Sequence, residues 1–257
     1  MSDLGRRWRA ARHRRIQRRL AGPRILGAFA HAFPEAFFVQ IGANDGEAHD
    51  PLREILREHA WRGIMVEPVP HVFARLRENT SDLGGRVALE QAAIGATGGE
   101  RPFHHLREAA GGERAALPDW YDALGSFDRD TLLAHADEIP GLAERMVTTT
   151  VTTLTYETLL RLHGRPHVDL LLLDTEGHDW QILRTIDLEH QRPRLIVYEH
   201  FHLDGHDRAA CHGHVEHAGY ATLAEGFDTY CLDATVEDEL TERFARTRPG
   251  TPAVYAA

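Results

Sequence analysis

The chain contains no lysine; all 29 of its basic residues are arginine. That absence excludes a Walker-type phosphate loop, which needs a lysine on the phosphates, and any Schiff-base mechanism. Cysteine is nearly as scarce. Cys211 and Cys231 are the only two, too few for the disulfide framework of a secreted domain. Neither has a second thiol nearby in sequence, which excludes a cysteine-only zinc knuckle. No apolar run approaches the ~18–20 residues of a membrane span. The expectation is therefore a cytoplasmic protein without a transmembrane segment. The short run Ile25–Ala30 behind a long basic region leaves a signal peptide as the less favoured alternative.

What is present is ordinary globular material. At 257 residues, 42% hydrophobic and 26% charged, the chain suits one large domain that needs no metal or disulfide simply to fold. The net charge of −10 hides an asymmetry. Nine arginines and one acid, Asp3, fall in the first 24 residues, leaving 20 arginines against 38 acids in the remainder. Residues 1–24 thus read as an Arg-rich, loosely helical arm closed by Gly22-Pro23. It could contact membrane or nucleic acid; docking on the acidic body of its own or a second subunit, as a homo-oligomer, is favoured. The body itself is a poor surface for nucleic acid.

From residue 37 strands and helices alternate. Phe37–Ile41, Gly63–Glu67 and Arg86–Ile94 read as strands. The helix after the first begins at Asp50-Pro51, a cap followed by proline, with Leu52, Ile55, Leu56 and His59 on one face; the next carries Val69, Val72, Phe73 and Leu76. This is a βαβαβ half of a parallel sheet. Residues 98–145, punctuated by glycine and proline, read as an insertion over the sheet within a domain spanning 25–257. Met146–Thr153 reads as extended. A helix carrying Leu154, Leu159, Leu160 and Leu162 follows, then strand Val168–Asp174, helix Trp180–Ile186, strand Leu195–Glu199, helix Ala209–Ala218 and a hairpin of Tyr220–Ala224 and Thr229–Leu232. Past Ala234 the chain reads as a polar tail.

Ligands of open parallel sheets bind outside the carboxyl ends of the strands, and three ends carry unusual residues. The first is the loop Gly42-Ala43-Asn44-Asp45-Gly46, whose glycines let a ligand lie against backbone. The second is Glu67, placed to accept hydrogen bonds from a ribose diol; the plainer reading is a surface carboxylate, but the apolar run before it favours a strand tip. An acid in the glycine loop would repel a dinucleotide's pyrophosphate. It suits the sulfonium and ammonium of S-adenosylmethionine, which is therefore preferred to NAD or FAD. The third end is Asp174-Thr175-Glu176-Gly177-His178, paralleled by Glu199-His200-Phe201-His202 after the next strand. A helix-capping turn is the plainer reading of Asp174.

The segments FFVQIGANDGEAHDPL, MVEPVP, and DLLLLDTEGHDWQIL followed by PRLIVYEH, in that order, resemble the FkbM-type methyltransferase family over roughly residues 36–232. The resemblance implies S-adenosylmethionine-dependent O-methylation of a small-molecule acceptor, a sugar or natural product. It implies the class I methyltransferase fold, a Rossmann-like α/β arrangement: a mostly parallel seven-stranded sheet with one antiparallel strand near an edge and helices on both faces. It implies cofactor contacts at Gly42, Ala43, Asn44, Asp45, Gly46 and Asp174, the ribose at Glu67, and adenine against Ala92 and Ala93. The insertion would shape the acceptor pocket, through Ser126, Phe127 and Asp128.

An alcohol does not ionise unaided at pH 7, so either a base or a divalent cation must assist. Asp174, Glu199 and His200, on strand tips ~4.8 Å apart, could share Mg²⁺ or Mn²⁺. Without metal, His178 or His200 would be the base, oriented by Glu176 or Asp174. Two rivals remain: an N-methyltransferase, and a non-catalytic protein of the same fold that binds cofactor or a partner.

Overall fold

The structure is a computed structural model, described here for residues 21–164 and 167–247; the Arg-rich arm up to residue 20 lies outside the described residues. The chain order is α1 (Ala21–Ala32), β1 (Phe37–Ile41), α2 (Arg53–Glu58), β2 (Arg62–Val66), α3 (Pro70–Asn79), β3 (Val87–Glu90), β4 (Ala93–Ile94), β5 (Gly99–Leu106), β6 (Gly125–Ser126), α4 (Arg129–Leu133), α5 (Leu142–Arg145), β7 (Met146–Leu154), α6 (Tyr156–Leu162), β8 (Leu170–Leu173), α7 (Asp179–Leu183), β9 (Leu195–Glu199), α8 (Gly205–His217), β10 (Tyr220–Glu225), β11 (Asp228–Asp233) and α9 (Glu239–Thr247). Among the described residues no helix is long and apolar enough to cross a membrane.

Seven strands form one sheet in the order β10-β11-β9-β8-β1-β2-β3. All run parallel except β11, which is antiparallel to both β9 and β10. The central strands are buried on both faces, which is why they read as unbroken apolar runs. Their side chains alternate between two cores. Phe38, Met65, Leu170, Leu172 and Val197 pack with α1, α2, α3 and α9. Val39, Ile64, Leu171, Ile196 and Tyr198 pack with α6, α7 and α8. Cys211 and Cys231 are free thiols buried in the second core.

Trp61 anchors the first core: it is fully buried, its indole N–H donates to the Phe33 carbonyl at 2.7 Å, and Phe29 meets it edge-on. Trp61→Ala should lose about 3–5 kcal/mol, read as a lowered denaturation midpoint; a loss under ~1 kcal/mol would contradict this packing.

Several boundaries differ from the sequence reading. Gly22-Pro23 does not close the arm but lies within α1. Glycine is required at 22 because a Cβ there would fall 2.3 Å from the Tyr230 ring. The polar tail contains α9, whose two buried residues, Leu240 and Phe244, stand one turn apart. Asp50 does not begin a helix. It accepts from the Leu52 N–H at 2.8 Å in a turn, and α2 starts at Arg53. The expected strand 86–94 is two strands in different sheets, separated by Gln91-Ala92. In the expected 154–162 helix, Leu154 ends β7 instead, and Leu162 is exposed.

Residues 98–145 fold against β4 and β7 as a second, four-stranded sheet, β4-β7-β5-β6. Strand β5 is antiparallel to β7 from Gly99↔Thr153 to Leu106↔Met146. This layer has its own core of Leu106, Tyr121, Leu124, Leu132, Ile139 and Leu142. A smaller cluster, Val69, Val72, Ala93, Phe103 and Val151, attaches it to the main sheet beside α3.

Candidate active site

Where β1 and β8 end side by side, the chain turns sharply in both. Gly42 has φ of 82°, and a Cβ there would lie 1.7 Å from the Asp174 carbonyl oxygen, so only glycine lets the two loops touch. The N–H groups of Gly42 and Ala43 both donate to the Val66 carbonyl at 3.0 Å. Asn44 follows with φ of 48°, and its N–H donates to Glu67 Oε2 at 3.1 Å. Glu67 Oε1 accepts from Val69 N–H at 2.8 Å. Glu67 is thereby clamped at the tip of β2 and buried. Burial raises its carboxyl to about 7, against the lowering effect of those two N–H groups.

These loops open on a cleft whose empty space, open solvent included, is about 620 Å³. Gly42, Asn44, Glu67, Asp174, Glu176 and His178 line it from the main sheet's loops, Ala92 and Ala93 from the link into the second sheet, and Phe103, Gly125 and Phe127 from that second layer. The structure thus brings together most of the predicted site. Three loop residues contribute differently: Ala43 and Gly46 are buried, and Asp45 turns its carboxylate back to accept from the Glu47 and Ala48 N–H groups at 3.0 and 2.9 Å. The predicted acceptor residues divide likewise. Phe127 faces the cleft; Ser126 donates to the Glu176 carbonyl at 2.9 Å, and Asp128 caps α4.

Asp174 opens onto the cleft among other carboxyl groups. Desolvation first, and then Glu199, Glu176, Asp179 and Asp228, push its carboxyl above the usual range, a push tempered by the exposure of Asp174 to solvent. Behind it, the wholly buried Asp179 accepts from Thr175 Oγ1 at 2.8 Å and from Glu199 N–H at 3.3 Å. It ties the two strand tips together. Sequence reasoning left Asp179 unremarked because it reads as an ordinary first-turn acid.

The two histidines expected as candidate bases, His178 and His200, lie in different surroundings. His178 presses on Phe127, ring centroids 4.8 Å apart, and its Nε2 is buried without a hydrogen-bond partner. Burial and then Arg101 lower its pKa to about 4. Neither Glu176 nor Asp174 holds its ring by a hydrogen bond, contrary to expectation; Phe127 packs against it. His200 is not brought to the cleft: its Nδ1 meets Thr229 Oγ1 at 3.0 Å. The imidazole beside Glu199 is instead His202, 3.0 Å from both Glu199 oxygens. The predicted metal set Asp174, Glu199 and His200 is therefore corrected, because the chain turns after Glu199 and sends His200 toward the hairpin. Burial pushes Glu199 up to about 7; burial opposes protonation of His202, but the Glu176 and Glu199 carboxylates raise it to about 10.

This strand order, with β11 reversed and a glycine loop facing an acid on the neighbouring strand tip, is the class I methyltransferase architecture. The FkbM methyltransferase domain matches residues 40–222, and the chain belongs to that family. Among solved structures it is similar to an FkbM methyltransferase from Methylobacillus flagellatus KT, at 11% identity, covering 77% of this chain and 44% of that one, TM-score 0.48. This chain thus spans under half the length of that protein. A methyltransferase from Geobacter sulfurreducens is similar at 14% identity, over 87% and 86% of the two chains, TM-score 0.43. The O-methyltransferase from Bacillus cereus in complex with SAH is similar at 9% identity, over 82% and 80%, TM-score 0.44. A comparison with curated proteins returned no match.

Proposed function

We propose that the protein transfers a methyl group from S-adenosylmethionine to a hydroxyl of a small molecule, a sugar or natural product. The residues fit the cofactor. Asn44 Oδ1 is buried without a partner, available to a donor from the ligand. Glu67 spends one lone pair per oxygen on backbone and keeps others for a ribose diol. Asp174 offers negative charge to an ammonium or sulfonium, and Ala92-Ala93 give a flat apolar wall for adenine. When bound, S-adenosylmethionine supplies an activated methyl group on sulfur.

The single observation that carries the O-directed reading is the unpartnered Nε2 of His178 inside the cleft. An amine attacks with its own lone pair and has little need of a base. A hydroxyl becomes a strong acid as it accepts a methyl group, so even an imidazole with pKa near 4 can take its proton late in the reaction. Phe103, Phe127 and Val69 supply an apolar wall for the acceptor's body. The test is turnover of methyl-labelled S-adenosylmethionine with matched hydroxyl and amino forms of one scaffold, products located by mass spectrometry. Methylation of hydroxyl forms is expected; methylation confined to amino forms overturns the O-directed reading.

Cofactor affinity should depend on pH through Glu67, whose charged neighbours are Arg75 and Asp45. Its carboxyl, raised to about 7, is protonated in the free protein below that pH, and ribose binding then has to expel the proton. Affinity should fall as pH drops below ~7, by up to about tenfold per pH unit. Glu67→Gln should weaken binding by about 1–3 kcal/mol at pH 8 and flatten the profile. Calorimetry from pH 6 to 8 measures both; a parent profile no steeper than the variant's would contradict the ribose role.

A further inference from the structure

We propose that Glu176, Glu199 and His202 form a binding site for one divalent first-row transition ion at the acceptor edge of the cleft. The location rests on these residues alone; only the ion's use depends on the methyltransferase reading.

The three side chains come from the ends of β8 and β9 and are all largely buried, with 13%, 9% and 13% of their surface exposed. Nδ1 of His202 lies 2.9 Å from Glu176 Oε2 and 3.0 Å from each oxygen of Glu199. An imidazole Nδ1 carries at most one hydrogen, and three carboxylate oxygens crowd it. Glu176 Oε2 is buried, ion-paired with that same Nδ1 at 2.9 Å but without a well-directed hydrogen bond. Two buried carboxylates around a single proton are poorly compensated, and Asp174 and Asp179 add further negative field. A divalent cation answers that arrangement. Ligand bonds of about 2.1 Å meeting at right angles set neighbouring donor atoms ~3.0 Å apart, the separation found here between the imidazole and the carboxylates.

The far side of the ring supplies an independent observation. His202 Nε2 lies 3.0 Å from His135 Nε2, in the second sheet's layer. An imidazole that ligates through Nδ1 keeps its hydrogen on Nε2 and needs an acceptor there, the support that metal-bound histidines have; His135 Nε2 is placed to accept. Two carboxylates with one imidazole favour Mn²⁺, Fe²⁺ or Zn²⁺ over Ca²⁺. Glu176 also lines the cleft, so an ion held by it can take an acceptor oxygen on its open side and polarise it.

The test uses the full chain, stripped with EDTA and dialysed against Mn²⁺, with bound metal counted and examined by pulsed electron paramagnetic resonance. The expected result is one Mn²⁺ per chain showing histidine-nitrogen coupling. His202→Ala and Glu199→Gln should weaken Mn²⁺ binding by roughly 100-fold or more, and His135→Ala by about 10–100-fold. If His202→Ala does not fold, the nitrogen coupling in the parent decides. No bound Mn²⁺, bound Mn²⁺ without nitrogen coupling, or equal binding by a folded His202→Ala protein overturns the site. S-adenosylmethionine binding is measured on the same samples. Its presence without Mn²⁺ binding removes the ion site and keeps the cofactor reading; the reverse removes the cofactor reading and keeps the ion site.

Discussion

Gly42→Ala is expected to abolish measurable S-adenosylmethionine binding, a loss of at least about 100-fold, or roughly 2.7 kcal/mol. Two effects add. Alanine pays about 1–2 kcal/mol to hold the positive φ at this position. Its Cβ would also stand 1.7 Å from the Asp174 carbonyl oxygen, and that obstacle is backbone, which cannot swing aside. The loops after β1 and β8 must separate, displacing Asn44 and Asp174 together from the cleft they line. The protein should also melt at a lower temperature. Gly27→Ala is the control: Gly27 sits on the exposed face of α1, and a Cβ there meets nothing within 4 Å. In a helix interior that change should stabilise by up to about 1 kcal/mol and leave cofactor affinity alone. If Gly42→Ala binds as tightly as the parent by calorimetry, the touching loops are not the cofactor cradle.

The central sheet was legible because its strands are buried on both faces. Leu195–Glu199 has the same bounds in sequence and structure, and Leu170–Leu173 lies inside the expected run. Continuous apolar runs closed by glycine or an acid leave few alternatives there. The acids at strand tips were legible for the same reason, since topology alone brings Gly42, Glu67 and Asp174 to one edge. His202 was not. Along a strand the pleat fixes which way each side chain points, but after Glu199 the chain enters a turn in which His200 N–H donates to Phe227 and Leu203 N–H to His200. Alternation then carries no information, and the nearer histidine in sequence was the wrong partner for Glu199. The second sheet was hidden differently. The threonine-rich β7 reads as extended on its own, but its partner β5, GERPFHHL, holds glycine, proline and charge. It is a strand because β7 pairs with it across some fifty residues, a non-local contact that no local period records. The helix α9 escaped because two apolar residues suffice to dock it.

His178→Ala should lower the rate of methyl transfer by roughly 10²–10⁴-fold while S-adenosylmethionine affinity stays within a few-fold of the parent. The imidazole lines the cleft against Phe127. It makes none of the contacts that clamp the Gly42 loop or Glu67, so losing it should not disturb the cofactor cradle. His178→Gln keeps a polar side chain of similar reach but lacks the imidazole's basicity, and it should be nearly as slow. A role in packing Phe127 alone would instead let glutamine restore much of the rate. His200→Ala supplies the contrast: bonded to Thr229 and absent from the cleft lining, it should retain the parent rate within about threefold. Single-turnover measurements with cofactor saturating separate chemistry from product release. A His178→Ala protein that keeps more than a tenth of the parent's single-turnover rate would remove His178 as the base and leave acceptor activation to the carboxylates at the tips of β8 and β9.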